Sequence, residues 1–327
     1  MHKSLSHFDV IVVGAGLTGL VAARSLRQAG LSVVVLEKSR GYGGRMSTRR
    51  YSGAVFDHGT QYFTAESETF QDMVDQWLEE GAIKVWFDQL EGETEACPRY
   101  RGSPTMNAVG KHLGRDLDVR LTSVVTAATF EDDRWLVDLA DAQTLSARAL
   151  LMTTPAPQAL SILQAGGDPL DAVSKRALES ISYAKSLTIM ALLDGPSGLP
   201  EPGFYVPASP EPVAWVADNA MKGISELPSL TIQSGPDFAQ LHYEGSESDY
   251  VARLTAAVTP ILKATITEAH AHRWRYAFRT SGVSGEYLYQ SGLRFCYASD
   301  AFMRAKVEGA ALSGLAAAGS ICHELKD

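Results

Sequence analysis

The sequence has few cysteines and lacks any long apolar run. Its three cysteines, Cys97, Cys296 and Cys322, lie far apart, which predicts reduced thiols rather than the disulfide framework of a small secreted protein. Its longest apolar runs, such as 10–13 and 33–36, have the length of strands and fall well short of the roughly 20 residues of a membrane helix. We therefore expect no membrane-spanning segment.

An excess of positive charge is also absent. The chain carries 29 Lys and Arg against 38 Asp and Glu, for a net charge of -9, and its basic residues are scattered rather than grouped in a stripe. We therefore expect no nucleic-acid partner, and nothing in the sequence indicates an obligate protein partner. Only seven residues precede the apolar strand that begins at Phe8, so we expect no export signal and a cytoplasmic location.

What is present is the composition of a folded globular protein. Hydrophobic residues make up 45% of the chain and charged residues 20%, which is ordinary for a soluble domain with its own core. The length of 327 residues exceeds the roughly 100 to 200 residues of one domain. We therefore expect about two domains.

The N-terminal residues have the pattern of a β-α-β unit. An apolar run at 8–13 leads into a glycine-rich turn, and residues 20–28 then show helical spacing that ends at Gly30. Residues 31–36 form a second apolar, Val-rich run, which is typical of a parallel strand buried on both faces. This pattern predicts an α/β fold with a Rossmann-type domain.

The turn carries a dinucleotide-binding fingerprint. Gly14, Gly16 and Gly19 follow the strand and open the helix, and Glu37 ends the next strand at about the 20-residue interval of that fingerprint. These glycines allow a tight turn, a close approach of the backbone to a pyrophosphate, and close packing of helix on strand. Glu37 can accept hydrogen bonds from a ribose diol but would repel a 2′-phosphate, which favours FAD or NAD over NADP.

A second glycine-rich loop favours FAD over NAD. Gly43-Gly44-Arg45 follows Glu37 by six to eight residues and has the composition of a second phosphate-facing loop with its own cation. A plain surface ion pair is the alternative role for Arg45, because exposed arginines are common.

The rest of the pattern predicts a chain that leaves the Rossmann domain and returns to it. Residues 66–81 have the spacing of an amphipathic helix, and 119–139 contain three strand-like runs with a hairpin turn at 131–133. Residues 149–153 have the pattern of a buried strand, and 293–325 that of a strand followed by a helix rich in Ala and Gly. We expect a discontinuous FAD-binding domain (1–65, 105–164 and 286–327) and an α+β substrate domain (66–104 and 165–285).

In this order the motifs resemble those of the amine-oxidase-like flavoprotein superfamily, and within it those of the renalases. The resemblance spans almost the whole chain and is weakest over residues 165–265. The matching stretches are Lys38-Ser39-Arg40-Gly41 before Gly43-Gly44-Arg45-Met46-Ser47, Asp57 with Gly59-Thr60-Gln61-Tyr62-Phe63, Thr154-Pro155-Ala156-Pro157-Gln158-Ala159, His272-Arg273-Trp274 with Tyr276, and Val307-Glu308-Gly309-Ala310.

The resemblance implies a two-domain fold with non-covalently bound FAD. The family usually has Gly-Asp where this chain has Ser299-Asp300, and the larger side chain of Ser299 could shift the contact with the flavin's ribityl chain. The positions that correspond to FAD-binding residues are Gly14, Gly16, Leu17, Thr18, Gly19, Glu37, Lys38, Gly44, Arg45, His58, Gly59, Val124, Asp300, Val307, Glu308, Gly309 and Ala310.

The resemblance further implies an oxidase that returns the 2- and 6-dihydro isomers of NAD(P)H to NAD(P)+, with O2 as acceptor and hydrogen peroxide as second product. Loss of hydride from a dihydronicotinamide ring gives an aromatic product, so this step needs stacking and orientation rather than a side-chain acid or base. We therefore assign no catalytic base. Our candidates for the wall that binds the substrate are Gln61, Tyr62, His272, Trp274 and Tyr276.

Several of these residues keep a second interpretation. Trp274 and Tyr276 also fit core positions on one strand face, and His58 fits a structural histidine as well as a flavin neighbour. His270 and His272 have no third and fourth ligand nearby in the sequence, so we expect no metal site.

Two other functions are compatible with the same residues. An amine or polyamine oxidase shares the fold and would be reduced by amines. A non-catalytic redox sensor would bind FAD without being reduced by any dihydronicotinamide, since fold and cofactor do not establish function. A carotenoid or porphyrin desaturase ranks third, because the sequence shows no amphipathic membrane anchor.

Overall fold

The computed structural model describes residues 6–90, 94–304 and 306–326. Its strands are β1 (Ser6–Val13), β2 (Val33–Leu36), β3 (Thr48–Tyr51), β4 (Ala54–Asp57), β5 (Ile83–Phe87), β6 (Arg99–Gly102), β7 (Asp118–Arg120), β8 (Val125–Glu131), β9 (Arg134–Leu139), β10 (Thr144–Met152), β11 (Ser182–Leu193), β12 (Phe204–Tyr205), β13 (Val213–Asp218), β14 (Ser229–Ser234), β15 (Ile266–Ser281), β16 (Leu288–Gln290) and β17 (Phe295–Tyr297). Its α-helices are α1 (Leu17–Gln28), α2 (Glu68–Glu79), α3 (Asn107–Leu113), α4 (Ala156–Ala165), α5 (Ala172–Glu179), α6 (Pro236–His242), α7 (Glu247–Val258) and α8 (Val307–Lys326).

The first sheet contains the predicted Rossmann unit. Its strands lie in the order β16-β17-β10-β1-β2-β7, with β9 pairing β10 and β8 pairing β9. The strand pairs from β17 to β7 are parallel, as the β-α-β pattern predicts. The hairpin turn between β8 and β9 is confirmed: Asp132 and Asp133 both have positive φ there. The sequence pattern therefore predicted this half of the fold well.

Helices cover both faces of this sheet. Alternate residues of β1 point to opposite sides, so Val10 and Val12 lie in one core while Ile11 and Val13 lie in the other. The first core takes its helical side chains from α1, α2, α3 and α8, and the second from α4 and α5. Both faces of the sheet are therefore shielded from water, which explains why its parallel strands are uniformly apolar.

Helix α2 forms where its amphipathic spacing predicts it. Ser67 caps its N-terminus by accepting a hydrogen bond from the Phe70 N–H group. Phe70, Val74 and Trp77 are buried in the same core as α1 and α8. This packing places α2 with the first domain rather than with the second, to which the sequence boundary at residue 66 assigns it.

The second sheet has the antiparallel order β12-β13-β14-β11-β15. One of its faces, with Leu187, Ile189 and Ile232, packs in a core with side chains from α6 and α7. The opposite face turns toward the first domain. There the hairpin of β3 and β4 packs against it, with Phe56 contacting the core that includes Met190. The residues after β4 are thus held between the two sheets.

Candidate active site

The turn between β1 and α1 has the geometry that the fingerprint requires. Gly14 has φ = +113°, a conformation that other residues rarely adopt. A Cβ atom on Gly19 would lie 2.1 Å from the Gly14 carbonyl oxygen, so the helix approaches the turn at a distance that only glycine allows. Leu17 and Thr18 are buried in the first turn of α1. The turn and helix N-terminus therefore present backbone N–H groups at the end of β1.

The second glycine loop lies directly against the first. The Gly43 N–H group donates to the Ala15 carbonyl oxygen at 2.9 Å, and Gly16 and Gly43 form a parallel bridge. The buried carboxylate of Glu37 accepts hydrogen bonds from the N–H groups of Ala15 and Ser39, both at 2.8 Å. Each carboxylate oxygen has a second acceptor site. Glu37 thus shapes this loop and still has capacity for a ribose hydroxyl.

Arg45 and Asp300, both predicted cofactor residues, are bound to each other. Arg45 donates from Nη1 and Nη2 to the two Asp300 oxygens at 2.8 and 2.6 Å. Burial lowers the pKa of Arg45, but the facing carboxylate of Asp300 outweighs it and holds the pKa above its usual value. The pair links the glycine loop to the segment after β17, so Arg45 is more than an ordinary surface ion pair.

Ser299 is turned away from this pair. Its hydroxyl oxygen accepts from the Ala301 N–H group and donates to the Tyr297 hydroxyl. Its own N–H group donates to the Ser313 hydroxyl. Ser299, which stands where the family usually has glycine, therefore uses its side chain in hydrogen bonds to nearby residues rather than to the Arg45–Asp300 pair.

The N-terminus of α8 contains four predicted cofactor residues. The carboxylate of Glu308 is buried and accepts hydrogen bonds from the N–H groups of Glu66 and Ser67, at 2.9 and 3.0 Å. Glu308 therefore joins α8 to the start of α2. Its neighbours in this turn are Val307, Gly309 and Ala310.

Two further predicted cofactor residues lie near Glu37. The Lys38 ammonium group donates to Gln158 Oε1 at 3.1 Å on the surface. Val124 is 43% exposed, although it is apolar, and follows Ser123, whose N–H group donates to the Glu37 carbonyl oxygen. An exposed apolar side chain at this end of the sheet suits contact with a flat ligand such as adenine.

The loop after β4 is fixed by a buried ion pair. Asp57 and Lys222 are both fully buried, with Lys222 Nζ 3.1 Å from Asp57 Oδ2. Gln61 donates from Nε2 to the carbonyl oxygens of Asp57 and Gly59, while its Oε1 lies 3.4 Å from Lys222 Nζ. Both ends of the Gln61 amide are thus engaged within the protein. Burial lowers the pKa of Lys222, and the carboxylate of Asp57 opposes that effect.

His58 and two residues of β15 form an aromatic group beside Gly59. The His58 ring lies 4.7 Å from that of His272 and 5.2 Å from that of Trp274, between ring centroids. Trp274 Nε1 donates to the His58 carbonyl oxygen at 2.9 Å. Burial lowers the pKa of His58 to about 3 and that of His272 to about 4, so both imidazoles are neutral at pH 7.

The other two candidates for the substrate wall lie elsewhere on the loop and strand. Tyr276 packs edge-on against Tyr183, with ring centroids 5.4 Å apart. Tyr62 belongs to a second aromatic group with Phe87 and Trp215, each at a centroid distance of 5.4 Å. The structure therefore places four of the five candidates at or around residues 57–62, whereas Tyr276, two residues after Trp274 on β15, contacts Tyr183.

The opposite face of β15 carries Arg273 and Arg275, as the alternation of side chains along a strand requires. Arg273 points away from His272 and donates to the Tyr250 hydroxyl at 3.1 Å, and Arg275 lies near Glu244.

Among the residues that the structure describes, no three His, Cys, Asp or Glu side chains are placed to hold a metal ion. Within the same residues, no helix combines the length and apolarity needed to cross a bilayer.

The cleft at the end of β1 fits the phosphates and ribose of FAD. Helix α1 has Gly16 as its N-cap, with no capping side chain, and no acidic residue lies in its first turn, which suits an anion. Within the described ranges, no heavy atom lies within 4 Å of the Cβ position at Gly16. The Thr154 hydroxyl is buried next to Gly14 of this turn, without a hydrogen-bond partner in the described chain. Such orphaned polar atoms are expected where a cofactor supplies the partner.

Comparison with known proteins agrees with this cleft. Residues 12–77 match the NAD(P)-binding Rossmann-like domain, and residues 76–322, more than half of the chain, match the flavin containing amine oxidoreductases. The chain belongs to the flavin containing amine oxidoreductase family. FAD is accordingly its cofactor.

Relatives within this family have several activities. The chain is 28% identical over 302 residues to renalase of Mus musculus, covering 84% of this chain and 86% of renalase. It is 41% identical to putrescine oxidase of Kocuria rosea, but over only 68 residues, or 21% of this chain and 14% of that oxidase. The similarity to renalase therefore extends over the greater part of both chains.

Solved structures share the fold at low sequence identity. A putrescine oxidase bound to putrescine has a TM-score of 0.67 at 18% identity and covers 96% of this chain and 99% of its own. A CLA-producing fatty acid isomerase from P. acnes has a TM-score of 0.70 at 14% identity, covering 94% of this chain and 97% of its own. An oxidase and an isomerase thus share this architecture, which shows the fold alone.

Sequence reasoning did not find several residues that meet at the loop. Lys222, Gln233 and Trp215 come from the stretch where the family resemblance is weakest. A lone lysine, glutamine or tryptophan in such a stretch carries no motif, and these residues reach the loop only through the strand pairing of β13 and β14.

Proposed function

We propose that the protein is an FAD-dependent oxidase of mis-reduced dihydronicotinamides, the 2- and 6-dihydro isomers of NAD(P)H, with O2 as electron acceptor. The observation that carries the proposal is the uncharged aromatic surface beside Gly59, built by His58, His272 and Trp274. A flat ring stacked on the flavin needs uncharged, mostly apolar walls of this kind around it. The similarity to renalase along 84% of the chain supports the same assignment.

In this proposal the N-terminal cleft holds FAD. The turn from Gly14 to Gly19 and the first turn of α1 bind the pyrophosphate, and the free acceptor sites of Glu37 bind a ribose. Gly44 and the Arg45–Asp300 pair complete the cleft on the side of the second glycine loop. The predicted absence of a covalent flavin link agrees with the burial of Cys296, whose thiol pKa is raised by that burial. FAD supplies the hydride acceptor and passes the electrons to O2.

The chain's own contribution to the reaction is orientation and exclusion of water. The Gly59 carbonyl oxygen accepts a hydrogen bond from Gln233, and the side-chain amide oxygen of Gln61 accepts one from Lys222, so the loop is fixed beside the reacting ring. His58 and His272 stay neutral and therefore add no positive charge near the pyridinium product, which is a cation. No side-chain base is required, because the departing product gains aromatic stabilisation.

An amine or polyamine oxidase is the second candidate, favoured by the similarity to putrescine oxidase over 68 residues. Such an enzyme must bind a cationic amine. At the loop beside Gly59, Asp57 is the nearest carboxylate in sequence, and it is fully buried and paired with Lys222. This arrangement favours an uncharged ring over an ammonium group.

Turnover in air tests the two candidates. The purified holoprotein is incubated with chromatographically separated 2-, 4- and 6-dihydro isomers of NADH, and with putrescine and other amines. We expect NAD+ and hydrogen peroxide in a one-to-one ratio from the 2- or 6-dihydro isomer, and neither from amines. Peroxide from amines alone would support the amine oxidase, and no turnover with any compound would support the redox sensor.

A further inference from the structure

Four side chains form a row across the second sheet. In the strand register Trp215 lies opposite Gln233, Gln233 opposite Thr188, and Thr188 opposite His272. Directly opposed residues of antiparallel strands point to the same face of the sheet. The row Trp215–Gln233–Thr188–His272 therefore presents four side chains on one surface.

This surface faces the loop beside the proposed flavin site. Gln233 Nε2 donates to the Gly59 carbonyl oxygen at 2.6 Å, and His272 packs on His58. The other face of the same strands, with Ile189 and Ile232, is the core packed by α6 and α7. The row thus belongs to the side of the sheet where a ligand on the flavin would lie.

Two members of the row have a buried polar atom without a hydrogen-bond partner among the described residues: Thr188 at Oγ1 and Trp215 at Nε1. A hydroxyl group can donate or accept, whereas the indole N–H group of Trp215 can only donate. By contrast, Trp86 Nε1, Trp135 Nε1 and Trp274 Nε1 each donate to a backbone carbonyl. A buried N–H group without a partner costs free energy, so its retention indicates a partner that the protein does not itself supply.

The surroundings of Trp215 suit an aromatic amide. Its ring stacks on Phe204 at 5.0 Å with an interplanar angle of 17°, and lies 5.4 Å from Tyr62. Tyr62 follows Gly59 by three positions on the loop. A nicotinamide ring carries one strong hydrogen-bond acceptor, the carboxamide oxygen, which an indole N–H can satisfy.

We propose that Trp215 determines substrate specificity by donating a hydrogen bond from Nε1 to the carboxamide oxygen of the dihydronicotinamide, beside Gln233 in the row. This inference rests on the proposed function and adds the residue that recognises the substrate's amide. Amines and other ligands without a carbonyl oxygen gain nothing from this contact, which gives the site a basis for rejecting them.

A double-mutant cycle between protein and ligand tests the contact. Dissociation constants of the oxidised holoprotein are measured from the flavin absorbance change, for NAD+ and for its analogue with a 3-methyl group in place of the carboxamide. The wild type should bind NAD+ about tenfold more tightly than the analogue, as one hydrogen bond in a dry site provides. Trp215→Phe should bind both ligands equally. An unchanged tenfold preference in Trp215→Phe would overturn the proposal.

Trp135→Phe is the matched control. Its Nε1 donates to the Leu293 carbonyl oxygen at 2.7 Å within the first domain, far from the row in the fold. Its loss should lower the unfolding midpoint and leave the ligand preference at about tenfold. Trp215→Phe should leave the unfolding midpoint unchanged or raised, because it removes an N–H group that has no protein partner.

A second measurement does not depend on a variant. In protein labelled with 15N-tryptophan, the Trp215 indole proton should exchange with solvent more slowly when NAD+ is bound than when the 3-methyl analogue is bound. Equal exchange with both ligands would contradict the contact. Failure of the proposed function is recognised separately, since the wild-type flavin would then not be reduced by any dihydronicotinamide even if NAD+ and the analogue bind as described.

Discussion

At the residue scale, two glycines of one turn have different physical tasks. Gly19 has a carbonyl oxygen 2.1 Å from the position that a Cβ atom would take, whereas the same position at Gly16 is open within the described chain. Gly19 is thus required for the fold of the turn. Gly16 is required only for the binding of a ligand at this turn.

Alanine at these two positions should therefore separate folding from cofactor binding. Gly19→Ala should lower both the unfolding midpoint of the FAD-free protein and the affinity for FAD, because the helix must move away from the strand. Gly16→Ala should leave the FAD-free midpoint unchanged and weaken FAD at least tenfold, by displacing the pyrophosphate. Thermal unfolding and flavin titration measure the two effects. Equal FAD affinity in Gly16→Ala and the wild type would place the pyrophosphate elsewhere.

The Arg45–Asp300 pair makes a second prediction at this scale. Asp300→Asn removes the charge and one of the two acceptors facing Arg45, so we expect a loss of about 1 to 3 kcal/mol in unfolding free energy and faster release of FAD. Urea denaturation and gel filtration with flavin detection give the two values. Asp118→Asn, in a pair that is largely exposed, is the control and should change neither.

At the scale of elements, the loop after β4 depends on a contact between the two sheets. The buried Lys222 comes from the turn after β13, yet its partner Asp57 ends β4. The motif at residues 57–62 indicated the loop after β4 as a site from the sequence alone. The sequence could not predict that Lys222 meets Asp57, because the pairing of the charges depends on how the hairpin of β3 and β4 packs on the second sheet.

Removing one member of this pair should be costly. Lys222→Met leaves the Asp57 carboxylate buried and unpaired, so we expect a loss of about 3 to 5 kcal/mol in unfolding free energy. The double variant Asp57→Asn with Lys222→Met should recover part of it, because no charge then remains buried. Lys175→Met, which breaks the partly exposed pair with Asp168, should cost about 1 kcal/mol or less. Equal losses in Lys222→Met and Lys175→Met would show that the buried pair has no special role.

Strand β15 shows which side-chain positions the periodicity of the sequence can predict and which it cannot. The alternation of side chains along it places His272 and Trp274 on one face and Arg273 on the other. Its register with β11 contains irregularities, including one between Ala184 and Ser186, which no pattern in the sequence reveals. Tyr276 lies within that irregularity, between the paired residues Trp274 and Phe278, and contacts Tyr183, so simple alternation does not give its neighbours.

At the scale of the whole molecule, the parallel Rossmann sheet was predictable because short, uniformly apolar strands and the glycine turn are local signals. The FAD cleft was predictable for the same reason. The proposed substrate face was only half predictable: the loop at 57–62 has a motif, while Trp215, Gln233 and Thr188 reach it through long-range strand register. The family match over 76–322 confirms the fold and the cofactor.

The two neutral histidines should make the folded protein sensitive to acid. In the native state His58 and His272 bind protons only near pH 3 and 4, whereas unfolded histidine binds one near 6.5. Between these values the unfolded chain binds more protons, so stability falls as the pH is lowered from about 6.5 to 4. Each histidine contributes a slope of up to about 1.4 kcal/mol per pH unit.

Urea denaturation of the holoprotein at pH 7, 6 and 5 tests this prediction. The free energy of unfolding should fall less steeply with decreasing pH in the His58→Gln, His272→Gln double variant than in the wild type. Parallel curves would contradict burial of neutral imidazoles.

The central claim is that the flavin in this fold is reduced by a mis-reduced nicotinamide ring. Anaerobic mixing of the holoprotein with separated dihydro isomers, followed at about 450 nm where oxidised flavins absorb, tests it most directly. Bleaching within seconds by the 2- or 6-dihydro isomer, with none by the 4-dihydro isomer or by amines, is the result that we predict. Bleaching by amines, or by no dihydronicotinamide at all, would contradict the account.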